Sequence, residues 1–192
     1  MKKGLLVFVT LVIFTGLIGC TTGNNTKKDT PARIPTGEEV IPLSQKYNTL
    51  LVYSYETTPV LKKDYPIELK ESHAALITAL LMSETYSKVA PAKVDEQYSE
   101  PDTLLIKIKV ADMRIASTSA RIWGGAFAGS SYMHMNVQFV EAVSGQLIHE
   151  KFFSSTNNAM AAAWTFGSND RSLPVDLAKI VADYILKKVP AM

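Results

Sequence analysis

The stretch Thr103-Leu104-Leu105-Ile106-Lys107-Ile108-Lys109-Val110-Ala111-Asp112-Met113-Arg114-Ile115 decides the fold class. Leu104, Ile106, Ile108 and Val110 recur at every second position with Lys107 and Lys109 between them, the period of a strand that has one face in a core and the other in water. The phase then slips. The apolar positions after Val110 are Met113 and Ile115, with Asp112 and Arg114 alternating against them, so a bulge is expected near Ala111 or Asp112.

Outward from this strand, residues 132–142 and 146–154 flank Ser144-Gly145, a reasonable hairpin turn. If those two residues form the loop, Val137 pairs with Phe152 and Gln138 with Lys151, which gathers Met135, Val137, Phe139, Ile148 and Phe152 on one face. Glu150 falls on that face too; a lone buried carboxylate is costly, so either it lies at an edge or the register differs. Residues 49–55 read as a first strand, rich in β-branched and aromatic side chains. Between the strands, residues 66–89 carry Leu69, Leu76, Ile77, Leu80 and Leu81 near helical spacing, with Pro66 at the start and Pro91 closing the helix. A last helix over 174–189 aligns Leu177, Ile180, Val181, Tyr184, Ile185 and Val189 in one stripe, with Asp176 in its first turn and Lys187 and Lys188 in its last. The order strand-helix-strand-strand-strand-helix implies an α+β fold, a small mixed or antiparallel sheet with two helices packed on one face.

Ahead of this domain (47–192), residues 20–46 are rich in Thr, Asn, Lys, Pro and Gly and read as a tether. Residues 21–46 reach roughly 85 Å extended, at about 3.3 Å each, and about 28 Å as a coil. Residues 1–19 carry Lys2 and Lys3, an apolar core over 5–18 and the small residue Gly19, a secretory signal. The core is too short and too interrupted, by Thr10, Thr15 and Gly16, for a spanning helix of roughly 20 apolar residues. Leu17-Ile18-Gly19-Cys20 resembles the lipobox of bacterial lipoproteins. The resemblance implies a diacylglycerol thioether on Cys20, cleavage after Gly19 and acylation of the new amine; more than one acyl chain anchors durably. Thr21, where an Asp would retain such proteins at the inner membrane of enteric-type bacteria, implies the outer membrane, with the domain facing the periplasm, or the outer surface of the cytoplasmic membrane in an organism with one membrane.

Cys20 is the only cysteine, so its acylation leaves no thiol for a disulfide or a redox role. Removal of residues 1–19 takes Lys2 and Lys3 from the 20 basic side chains, which then balance the 18 acidic ones. Neutrality argues against a nucleic-acid binder and against electrostatic membrane binding, leaving the lipid to hold the chain.

Signals for chemistry are weak. Gly124-Gly125-Ala126-Phe127-Ala128-Gly129-Ser130-Ser131 lacks the lysine of a phosphate-binding loop and leads into a strand, so it reads as a flexible connection. His73, His134 and His149 show no ligand spacing; Ser130 and Ser131 near His134 are adjacency without a nucleophile elbow. Asp95, Glu96, Glu100 and Asp102 read as a solvated loop. No catalytic, metal or cofactor site is expected. Two small-residue apolar segments, 122–129 and 159–167, each hold a tryptophan. Core packing is the favoured reading; exposed, Trp123, Phe127, Trp164 and Phe166 would form a contact patch.

With its long alternating strand, glycine-rich connection and the hairpin Val137-Gln138-Phe139-Val140-Glu141-Ala142-Val143-Ser144-Gly145-Gln146, the domain is similar to an uncharacterised bacterial lipoprotein family that pairs a lipobox with one α+β domain. It is more distantly similar to the periplasmic domains of the curli-export lipoprotein and of lipoprotein activators of peptidoglycan synthases. These resemblances imply a lipid-anchored periplasmic module that binds or assembles with an envelope protein partner and is not an enzyme. A subunit of an oligomeric envelope or secretion complex is the alternative, and an envelope hydrolase a third reading.

Overall fold

A computed structural model of the protein describes residues 39–192 apart from Asp95 and Phe166; Leu17, Ile18, Gly19, Cys20 and the tether as far as residue 38 lie outside the described residues. The chain runs β1 (Thr49–Tyr53), α1 (Pro59–Asp64), α2 (Pro66–Met82), β2 (Lys88–Ala92), β3 (Thr103–Arg114), α3 (Thr118–Gly124), a 3₁₀ turn (Gly125–Ala128), β4 (Tyr132–Glu141), β5 (Leu147–Thr156), α4 (Ala159–Trp164) and α5 (Ser168–Lys188). The strands form one mixed sheet in the order β2-β1-β3-β4-β5, parallel from β2 to β3 and antiparallel from β3 to β5. The α+β class and the mixed sheet agree with the sequence pattern; the six-element order does not, because it lacks β2, α1, α3 and α4.

β3 follows its pattern. Leu104, Ile106, Ile108 and Val110 are buried while Lys107 and Lys109 are exposed, and the register with β4 shifts between Val110 and Asp112. The buried face joins Leu69, Leu76 and Leu80 of α2 and Leu173, Leu177, Val181 and Ile185 of α5 in one core cluster with Leu50, Val52, Val137 and Phe139. Burying each such side chain stabilises by roughly 1.5–3 kcal/mol. α2 and α5 also pack on each other, and Ser72 Oγ donates to the Pro174 carbonyl at 2.8 Å between them. On the opposite face Leu51, Leu105 and Val140 form a small second cluster, against which Tyr98 packs. Tyr98 belongs to the 93–102 loop, the crossover that two parallel strands on either side of β1 require.

Three expectations are corrected. The helix from Pro66 ends at Met82, not near residue 89; Glu84 takes a left-handed φ of 52°, and Pro91 lies in β2. β2 is an edge strand, where a residue without an N–H is tolerated. In the hairpin, Val137 pairs with Lys151 and Gln138 with Glu150, one residue from the expected register. The turn is longer than Ser144-Gly145: Gly145, at φ 68°, donates its N–H to the Glu141 carbonyl at 2.9 Å, and the Glu141 N–H donates to the Gln146 carbonyl at 3.0 Å. The shift removes the conflict at Glu150, whose carboxylate faces out and accepts from Asn136 Nδ2 at 2.6 Å and Gln138 Nε2 at 2.8 Å. It also turns Phe152 outward and puts Phe153 in the core. Lastly, α5 begins at Ser168 and encloses Pro174, so Asp170 rather than Asp176 occupies its first turn.

The start of the described chain is tied down. Val40 and Leu43, read as tether, pack partly buried against the core, and the Leu43 N–H donates to the Lys188 carbonyl at the end of α5.

Candidate functional site

α3, the 3₁₀ turn and α4 together make a cap at the amino-terminal end of α5, and their order is set by a side chain the sequence reading passed over. Ser117 caps α3 by accepting from the Ala120 N–H at 3.2 Å, which fixes the turn that carries Arg121. Arg121 is buried and meets Asp170 of α5 in a two-pronged pair, Nε to Oδ2 at 2.6 Å and a terminal nitrogen to Oδ1 at 3.1 Å. Its other terminal nitrogen donates to the Gly125 carbonyl at 3.2 Å and the Ala159 carbonyl at 3.5 Å. One guanidinium thus ties α3, the 3₁₀ turn, α4 and α5, in the planar fork geometry that lysine could not supply. Glycine is required beside it: Gly167 has φ 77°, and a Cβ there would lie 3.1 Å from Arg121 Cγ. A second arginine pins the same cap from β3, with Arg114 donating to the Ala128 and Ser130 carbonyls at 2.6 and 2.7 Å.

With Arg121, Asp170 and Ala162 occupying the interior of the cap, its described large apolar side chains stand outside. Phe127 is fully exposed, Trp123 is 90% exposed and Trp164 83%, with Ile122 and Met160 more than half exposed beside them in sequence. Core packing, the favoured reading of the two segments, therefore fails for these three rings. The structure does bring the segments together: α4 packs on the 3₁₀ turn and touches α3, an approach that the intervening alanines and glycines permit. Phe166, the fourth residue of the expected patch, lies outside the described residues. Within the Gly124–Ser131 connection, read as flexible, residues 125–128 form a 3₁₀ turn directly after α3, and the chain runs into β4 as expected. Ser131 is buried, its hydroxyl accepting from the Ala116 N–H at 2.9 Å, which makes it a structural residue.

The histidines stay apart. His73 on α2 contacts the Tyr53 carbonyl at 3.1 Å and packs edge-on to Tyr55; burial lowers its pKa below the ordinary 6.5. His149 lies on the helix face between Phe139 and Tyr184, 2.7 Å from the Tyr184 hydroxyl, and burial, then Lys188 and Lys151, lower its pKa. His134 stacks with Tyr132 on the opposite face, so no pocket gathers it with His149. Among the described residues no group of three or more His, Cys, Asp or Glu could hold a metal ion, and no helix is long and apolar enough to cross a membrane. Glu96 of the acidic loop accepts from the Tyr98 hydroxyl and lies 3.6 Å from Lys93 Nζ.

Arg121 and Asp170 are separated by 49 residues, and the available signal was slight: one arginine inside Ala120-Arg121-Ile122-Trp123 and one carboxylate three residues past the second small-residue segment.

No family model matches the sequence, and no curated protein matches it. Solved structures similar in outline include the PelC dodecamer from Paraburkholderia phytofirmans, with a TM-score of 0.48 at 11% identity over 72% of this chain and 87% of that one. Protein XCC0632 from Xanthomonas campestris gives 0.44 at 13% identity, covering 81% and 92%. Lipoprotein GNA1162 from Neisseria meningitidis gives 0.35 at 13% identity, covering 58% and 81%. Each is a likeness of outline at low identity.

Proposed function

We propose that this chain is a lipid-anchored module of the bacterial cell envelope, held at the outer membrane through Cys20, whose periplasmic domain binds or assembles through the aromatic surface of its cap and carries no catalytic centre. The observation that carries the reading is the exposure of Trp123, Phe127 and Trp164 on a scaffold held by the buried Arg121–Asp170 pair. Exposed apolar patches of this kind mark interaction sites, and aromatic anchors dominate contact energies. The secretory signal and the lipobox-like quartet support the address, and the balance of basic and acidic side chains supports a contact that is not electrostatic.

A photoactivatable amino acid placed at Phe127 in cells tests the reading, with Val143 in the β4–β5 turn, also exposed, as the control position. Crosslinked adducts should form at residue 127 and be at least several-fold scarcer at residue 143. Equal capture at both positions would remove the cap as the contact surface.

A further inference from the structure

Resting on the reading of the cap as a contact surface, we propose that its occupant is the lipid surface of the bilayer that holds the acylated Cys20, so that the domain attaches to one membrane at two points. Three observations favour lipid over a protein surface. The first is chemistry: Thr118–Gly124, Gly125–Ala128 and Ala159–Trp164 contain a single charged side chain, Arg121, and it is buried. The described residues of these three segments therefore offer rings and small apolar side chains with no exposed charge of their own, as suits insertion among lipid headgroups rather than an electrostatic contact.

The second is shape. Trp123, Phe127 and Trp164 are 90%, 100% and 83% exposed, so their rings project rather than lie flat on the domain. A rigid partner would need a matching pocket for each ring, whereas the headgroup layer of a bilayer yields around them; tryptophan in particular settles at that depth, with its ring apolar and its N–H hydrated.

The third is reach. The described chain begins at the carboxyl-terminal end of α5, where Leu43 and Ile41 are bonded to Lys188, and the cap sits on Asp170 at the other end. α5 is 21 residues long, about 30 Å at 1.5 Å per residue. Residues 20–38 span up to about 60 Å at roughly 3.3 Å each. The far pole of the domain can therefore return to the membrane that holds the anchor, and the domain would lie along the bilayer rather than hang below it.

The test uses the chain from residue 39 onward, which has no acyl group and carries every described residue of both core clusters, its folding checked by circular dichroism. Binding is measured by co-sedimentation with vesicles of phosphatidylethanolamine and phosphatidylglycerol, and the depth of the rings by quenching of tryptophan fluorescence with brominated acyl chains. The expected result is vesicle binding with quenching, and at least a tenfold loss of partitioning in the Trp123→Ala, Trp164→Ala double variant with an unchanged circular-dichroism spectrum. The proposal is overturned if the unlipidated domain ignores the vesicles, or if the variant binds them equally. The crosslinker at residue 127 separates the two failures: a defined protein adduct without vesicle binding sinks the lipid occupant and keeps the contact surface, whereas neither adduct nor vesicle binding sinks both.

Discussion

In the body of the domain Leu76, Ile106, Phe139 and Leu177 are enclosed and Lys107, Lys109 and Glu150 face water, whereas among the described residues of the cap Arg121, Asp170 and Ala162 are enclosed and Trp123, Phe127 and Trp164 stand outside. The body is held by removal of apolar area from water. The cap is held by hydrogen bonds from Arg121 to a carboxylate and two carbonyls and from Arg114 to two further carbonyls, while Trp123, Phe127 and Trp164 stand in solvent.

The largest effect should come from breaking the pair in the cap. Asp170→Ala leaves the Arg121 guanidinium buried without its carboxylate and should cost about 3–5 kcal/mol, comparable to the roughly 3–5 kcal/mol of Phe139→Ala in the body. The two regions then part company. Replacing both members, as Arg121→Met with Asp170→Leu, should recover most of that loss, since well-packed apolar substitutes for a buried pair are often neutral; no second substitution repairs the Phe139 cavity so simply. Urea denaturation of the three variants checks this. A double variant as unstable as Asp170→Ala would show that the pair contributes more than its own burial.

The contrast also marks what was legible in the chain. β3 was readable to the bulge, because alternation over 103–115 and its slip are local properties of the residues themselves. The α5 stripe was readable from Leu177 onward, but its first two turns were hidden by Pro174, which reads as a beginning and is an interior residue here. β2 was missed because Lys88–Ala92 follows a helical run with no glycine at its end and contains a proline. The hairpin register turned on Gly145 closing a longer loop. The aromatic residues of the cap were identified but not their exposure, since that depends on Arg121 meeting a carboxylate 49 residues away.

A smaller effect separates the regions by pH. His73 and His149 both belong to the body, and burial lowers the pKa of each below the ordinary 6.5. The fold favours their neutral forms, so the stability they contribute is complete above about pH 6.5 and is lost as the pH falls through their lowered values. The thermal midpoint should decline between about pH 7.5 and about pH 5.5, and the decline should be shallower in His73→Gln, His149→Gln. A midpoint with the same slope in both proteins would assign the acid sensitivity elsewhere.

The smallest effect expected is the most telling. Trp123→Ala, Phe127→Ala and Trp164→Ala combined remove three large rings from the cap, and a denaturation curve of this variant beside the parent measures what those rings do for the fold. If they are outward contacts, the unfolding free energy should stay within about 0.5 kcal/mol of the parent, as for other surface substitutions, while vesicle binding falls. A loss of several kcal/mol, on the scale of Phe139→Ala, would show that the cap is a second core and would contradict the account.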